Sequence, residues 1–215
     1  HDALIEFSNK RYYEDRLQVF PSARSSVADL GIAWHPVPEG MFYSSASRAN
    51  TRTNPEEAKA LVAHLTSSLL RYEPTARTFG VVTFSLSQKE LINELLERER
   101  EAHPEIERHW AGTEPMFVKN LENVQGDERD EILFSIAYAK NEHGKLNHHF
   151  GPLSNPGGER RLNVAITRAR KMLRVFATLT YDQVELARTN ACGAEDLRAF
   201  LRFAVERGRE SQQRV

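Results

Sequence analysis

What most narrows the folding options of this chain is an unbroken apolar run, Phe79-Gly80-Val81-Val82-Thr83-Phe84, closed by a polar turn. A strand with one wet face alternates apolar and polar residues, so a continuous run predicts a strand covered on both faces. Met116-Phe117-Val118, Ile132-Leu133-Phe134-Ser135-Ile136 and Leu173-Arg174-Val175-Phe176-Ala177 predict further strands, and Met41-Phe42-Tyr43-Ser44 a shorter one. Helical spacing fills the intervals. Ala3, Leu4, Phe7, Arg11 and Tyr12 mark an opening helix. Asn54-Pro55-Glu56-Glu57 is a strong helix start: Asn54 can cap, Pro55 fits the first helical position, and Glu57 can close a capping box. That helix continues through Leu61, Leu65 and Leu69, and a second carries Leu91, Ile92, Leu95 and Leu96. Leu197, Phe200, Leu201 and Ala204 line a last helix, expected to stop at Gly208. The stretch after Pro21 reads as irregular, and residues 141–159 as a long loop. Strands alternating with helices predict an α/β fold with a mostly parallel sheet, helices on both faces, and ligands beyond the carboxyl ends of the strands.

Length and charge set outer bounds. The 215 residues suffice for one sizeable domain. The net charge of -1 is too balanced for bulk electrostatic attraction to nucleic acid, so any such contact must come from local patches. A single cysteine, Cys192, excludes an internal disulfide and a multi-cysteine zinc site, which fits a reducing cytoplasm. It reads as a small, semi-buried side chain. No apolar run approaches the ~20 residues that span a bilayer. Without an initiator methionine or a signal-like start, the chain reads as an excised segment.

The most informative stretch is Arg160-Arg161-Leu162-Asn163-Val164-Ala165-Ile166-Thr167-Arg168-Ala169-Arg170-Lys171. Read as one helix, it places Leu162, Ala165, Ile166, Ala169 and Leu173 on the sheet and Arg161, Arg168 and Lys171 on another side. From Arg160 to Arg174 the six charged residues are all basic. A solvated face normally mixes its signs, whereas a row of guanidinium forks suits phosphate oxygens.

This stretch resembles motif VI of the superfamily 1 helicases in their Upf1-like form. The resemblance implies a second RecA-like domain, occupying residues 1–207 with 208–215 as a tail. It implies that Arg168 reaches the γ-phosphate of ATP as an arginine finger, with Arg161 and Arg170 as supporting candidates. Gln125-Gly126-Asp127-Glu128-Arg129-Asp130 resembles motif V, which implies Gln125 and Gly126 near the phosphates and Glu128 near the ribose. The segment before it would contribute to the nucleic-acid path through Asn120. Here the chain departs from the pattern, since Asn120 and Glu122 stand where a small hydroxyl residue and Asp are usual. Gly80 to Gln88 resembles the segment after motif IV, making Thr83, Ser85 and Gln88 candidates for phosphate contact. The same hydroxyls suit capping of the next helix equally well. The Tyr-Arg pair that stacks on adenine in the family would precede His1.

Other features have plainer readings. Gly126-Asp127-Glu128 precedes an apolar run, whereas a magnesium-binding Asp-Glu box follows one. The chain has no Gly-x-x-x-x-Gly-Lys-Ser/Thr loop. ATP and Mg²⁺ would therefore be held mainly by a first RecA-like domain of the same polypeptide, and the chain alone should not turn over ATP. His143, His148 and His149 read as loop histidines with no metal, and Trp34 and Trp110 as packing residues. The expected role is the C-terminal motor half of an ATP-dependent helicase on single-stranded nucleic acid, with DNA favoured over RNA and no membrane partner. The alternatives are a non-hydrolysing binding or regulatory module and, weaker, a free-standing nucleotide-binding domain.

Overall fold

A computed structural model describes residues 2–18, 30–43, 51–189 and 191–213. In chain order the elements are α1 (Asp2–Tyr12), β1 (Gly31–Pro36), α2 (Pro55–Arg71), β2 (Phe79–Thr83), α3 (Leu86–Ala102), β3 (Phe117–Asn120), β4 (Arg129–Ser135), α4 (Gly158–Ile166), β5 (Ala169–Ala177) and α5 (Cys192–Gln213). The five strands form one sheet in the order β1-β5-β4-β2-β3, with every pairing parallel. This is the α/β, RecA-like arrangement that the apolar runs predict. The segment after Pro21, together with Ser44 and Asn190, lies outside the described residues.

Strand alternation sorts the core into two layers. Val81, Leu133 and Phe176 face α2 and α3, joining Leu61, Leu65, Leu69 and Ile92. Val82, Ile132, Phe134, Leu173 and Val175 face α1, α4 and α5, joining Leu4, Phe7, Leu162, Leu197 and Phe200. The first and last helices are clasped: Asp196, buried on α5, accepts from Arg11 Nε at 2.6 Å and from the Tyr12 hydroxyl at 2.7 Å. Among the described residues no helix is long and apolar enough to cross a membrane.

Several expectations need correction. Met41, Phe42 and Tyr43 are not a strand; Phe42 donates its N–H to the Lys140 carbonyl and Tyr43 to Thr53 across loops. The basic stretch is not one helix. It ends at Ile166, and Ala169 and Leu173 belong to β5, where a two-residue period serves the same apolar positions. The last helix runs through Gly208 to Gln213, because Gly208 lies flat against Trp34, where a side chain would collide. Cys192 is exposed at the start of that helix. The Asn54 side chain caps α2 by accepting from Glu57 N at 3.2 Å, but Glu57 does not return the bond. Its carboxylate turns into the core, and Asn54 N donates to Gln88 Oε1 instead.

Candidate functional site: two rims of one sheet

The candidate residues divide between opposite ends of the sheet. Because α4 feeds β5 and the turn at Gly126 feeds β4, Arg168 and the segment Gln125–Glu128 sit where those strands begin. Arg129 N donates to the Arg168 carbonyl at 3.2 Å, and Arg129 pairs with Ala169 in the ladder. The nucleotide candidates are therefore at the amino rim, not beyond the carboxyl ends where they were expected.

At the amino rim, Gly126 has φ +89 and open space around its α-carbon, a conformation that glycine adopts without strain. Gln125 and Gly126 are exposed. The helix stops at Ile166 and Thr167 caps it, which swings Arg168 out of the helical row. Arg168 is fixed at two points, Nε donating to the Val164 carbonyl at 2.8 Å and Nη2 to Thr167 Oγ1 at 3.1 Å. Its Nη1 lies 3.6 Å from Glu128 Oε1, beyond hydrogen-bond length, and 18% of the side chain is exposed. One edge of a guanidinium is thus held by the backbone while the other is only loosely balanced by an exposed carboxylate.

Apart from Arg160, which is exposed, the other basic residues are engaged by acids or carbonyls. Arg170 makes a two-pronged pair with Glu114, at 2.8 and 2.5 Å, and Lys171 lies 3.2 Å from Asp130. Arg174 pairs with buried Glu131, which also meets Arg77 at 2.8 Å. Burial alone would raise the Glu131 carboxyl, but His64, Arg174 and Arg77 together hold it below its ordinary range. The row that reads as unopposed in sequence is opposed in space by acids that β4 and the segment before β3 bring alongside. Arg161 donates through Nη1 to the Pro152 and Pro156 carbonyls and braces the loop before α4.

At the carboxyl rim, a groove of about 570 Å³ opens beside the ends of β2 and β3, lined by Phe42, Arg52, Leu86, Asn120, Tyr138 and His149 among others. Ser85 also lines it, while its hydroxyl accepts from Gln88 N and so caps α3. Asn120 is buried, and its Oδ1 has no partner. Thr83 and Gln88 do not face the groove. Thr83 is buried and donates to the Ser85 carbonyl at 2.9 Å. Gln88 is buried and exchanges bonds with Asn54 N and O and with Ser135 Oγ. Sequence reasoning missed Phe42, Tyr138 and Leu86, which no local pattern marks, and missed Glu57, whose position reads as an ordinary first helical turn.

One short segment joins the rims. After Asn120 ends β3, residues 121–128 descend the length of the sheet and enter β4, burying Leu121 and Val124 beneath them. Among the described residues no group of three or more His, Cys, Asp and Glu side chains converges to hold a metal ion. His148 leans edge-on against Phe150, Trp110 carries the Arg100 guanidinium on its face, and Trp34 packs on Gly208.

An all-parallel five-stranded sheet with helices on both faces is an α/β, RecA-like arrangement. Residues 1–180 match the family described as AAA domain. The uncharacterized ATP-dependent helicase MG140 of Mycoplasma genitalium is 30% identical over 99% of this chain and 18% of its own length. Its homolog in Mycoplasma pneumoniae is 32% identical over 93% and 17%. The probable RNA helicase armi of Drosophila melanogaster is 29% identical over 57% and 9%. The chain belongs to this AAA-domain family, as a domain of the Upf1-like superfamily 1 helicases. It spans less than a fifth of the length of each of these relatives.

Proposed function

We propose that this chain is the second RecA-like half of an ATP-driven translocase or helicase, with its domain at residues 1–207. The supporting observation is the separation of chemistries: Arg168 with Gln125, Gly126 and Glu128 on the amino rim, and an aromatic and polar groove on the carboxyl rim. ATP with its divalent metal is held mainly by a first RecA-like domain of the same polypeptide. In that pocket ATP supplies a phosphoanhydride whose cleavage drives the motor. Arg168 stabilises charge gathering on the transferred phosphoryl group. Its two internal bonds pre-set the direction of the free guanidinium edge, which lowers the entropic cost of the contact. Glu128 accepts from the ribose. Gly126 allows the backbone close to the phosphates.

The groove takes single-stranded nucleic acid. Leu86 provides exposed apolar surface against bases in front of a wall of buried Phe42 and Tyr138, Arg52 and Ser85 meet the backbone, and Asn120 offers an amide. DNA is favoured on the resemblance of the loop before α4 to large bacterial helicase-like proteins. The name of the Drosophila relative makes RNA the competing strand.

The test is the ATPase rate of the full-length protein, with and without single-stranded DNA or RNA, for wild type and Arg168→Ala. Strand-stimulated hydrolysis that collapses in the variant is expected. A variant that keeps its full stimulated rate would remove Arg168 from the mechanism, and a wild type that never hydrolyses ATP would favour a non-hydrolysing binding module.

A further inference from the structure

Glu57 is fully buried, and it lies far from the amino rim where the charged chemistry gathers. Burying a carboxyl group is costly unless donors converge on it, and here three do. Ser135 Oγ and Ala137 N donate to Oε1 at 2.6 and 2.7 Å, and Thr178 N donates to Oε2 at 3.2 Å. One side chain on α2 thus ties the carboxyl ends of β4 and β5 together.

One of the residues it grips, Ala137, is strained. Ala137 has φ +67, and the next amide, Tyr138 N, donates back to the Ile136 carbonyl at 2.8 Å. That is a γ-turn centred on a positive-φ residue with a β-carbon, a rare and unfavourable conformation that persists only when its surroundings enforce it. The turn ends β4 abruptly and sends Tyr138 sideways into the wall of the groove. There the Tyr138 hydroxyl donates to the Phe84 carbonyl at 3.0 Å, and its ring meets Phe42 at 5.5 Å and Phe150 at 5.3 Å. Gly151 leaves room for that hydroxyl, since a β-carbon there would stand 2.5 Å from it.

We infer that Glu57 is a positioning residue for the groove, acting through the strained turn at Ala137 to set the wall that buried Tyr138 and Phe42 form behind a bound strand. The role of the groove rests on the function proposed above; the control of the turn by Glu57 does not. An apolar residue at position 57 would fill the same space, but it would leave the Ala137 and Thr178 amides without an acceptor, and the turn would relax toward ordinary strand geometry.

The experiment uses the purified chain with Glu57→Leu, Ala137→Gly and the double variant. It reads amide hydrogen exchange at residues 135–138 and anisotropy of labelled single-stranded oligo(dT) and oligo(U). Glu57→Gln is less informative, because its one oxygen can still accept from Ser135 and Ala137. Glu57→Leu removes every acceptor, so the Ala137 amide should exchange about tenfold faster and strand affinity should fall by about the same factor. Glycine holds positive φ without assistance, so the double variant should recover affinity to within about twofold of wild type. Unchanged exchange at Ala137 in Glu57→Leu, or a double variant as weak as Glu57→Leu, overturns the proposal. If wild type binds neither oligonucleotide, the strand-path reading fails, and the exchange result alone decides the role of Glu57. If Glu57→Leu does not fold, Ala137→Gly decides: a raised melting temperature shows relief of strain, and a lowered one overturns the proposal.

Discussion

Arg168 and Glu128 face each other where β5 and β4 begin, with Nη1 3.6 Å from Oε1, while backbone and hydroxyl acceptors fix the rest of the guanidinium. The spacing is too long for a hydrogen bond and too short for indifference, so each is a ready partner for another group. In the full-length protein, Arg168→Ala should lower kcat by about 10³ or more, as loss of an arginine finger does. On the function proposed above, Glu128→Gln should instead raise KM for ATP about tenfold, with kcat nearly kept, since a ribose contact would be made equally in ground and transition states. Steady-state kinetics separate the two. Equal losses of kcat would mean that they work as a single ion pair.

Gln88 and Asn120 stand on the same rim but should behave oppositely. Gln88 satisfies the Asn54 backbone and Ser135 in a buried setting, so Gln88→Ala should cost about 2–4 kcal/mol in urea unfolding. Strand affinity of the remaining folded protein should not change. Asn120 has a buried oxygen with no partner, so Asn120→Ala should hardly alter stability and should weaken oligonucleotide binding. A stability loss at Asn120 as large as that at Gln88 would contradict this division.

Two groups, the buried Glu57 and the half-buried His35, should oppose each other in pH dependence. Burial pushes the Glu57 carboxyl up to about 7. Burial and the neighbouring His64 push the His35 imidazole down to about 4. A carboxyl raised in the folded state stabilises the fold at low pH and loses that contribution as pH rises toward 7. An imidazole lowered in the folded state stabilises above its ordinary 6.5 and loses that contribution as pH falls toward 4. In wild type these two contributions largely cancel. Replacing His35 by Phe, which keeps a ring against Phe176, should make stability rise as pH falls from about 7 to 5. Glu57→Gln should make it fall over the same window. Urea midpoints measured across this range check both signs, and parallel profiles for the two variants would refute the pairing.

The last helix should be indispensable. Leu197, Phe200, Leu201 and Ala204 are completely buried against the sheet, although they lie beyond residue 180, where the family match ends. Each large side chain contributes about 1.5–3 kcal/mol on burial, and a domain's whole margin is about 5–15 kcal/mol. A chain ending at residue 180 should therefore lose its cooperative melting transition in circular dichroism. A sharp transition would show that α5 is an accessory.

Continuous apolar runs made four of the five strands readable, because a strand covered on both faces has no other pattern; β1, Gly31-Ile32-Ala33-Trp34-His35-Pro36, has no such run and was not expected. The amino boundary of β5 was not readable. Arg168-Ala169-Arg170-Lys171 looks like a helical continuation until β4 lays Asp130 and Glu131 beside it, and local sequence carries no mark of those neighbours. The placement of the nucleotide residues failed for a related reason: a rule about carboxyl ends says nothing of residues that precede their strands. Thr83 and Gln88 carry no local sign of their burial: Gln88 is held by Asn54, more than thirty residues away, and Thr83 turns its hydroxyl onto the Ser85 carbonyl. Tyr138 had no signal at all, since its direction is set by one strained residue held from another helix.

The passage from Asn120 to Glu128 has a mechanical corollary. Its eight residues could reach ~26–29 Å at full stretch, but they are gathered into two turns, with Asn123 N donating to the Asn120 carbonyl and Asp127 N to the Val124 carbonyl. Leu121 and Val124 pin the turns to the core. Length is thus held in reserve, and a shift at one end would be taken up by opening a turn before it reached the other.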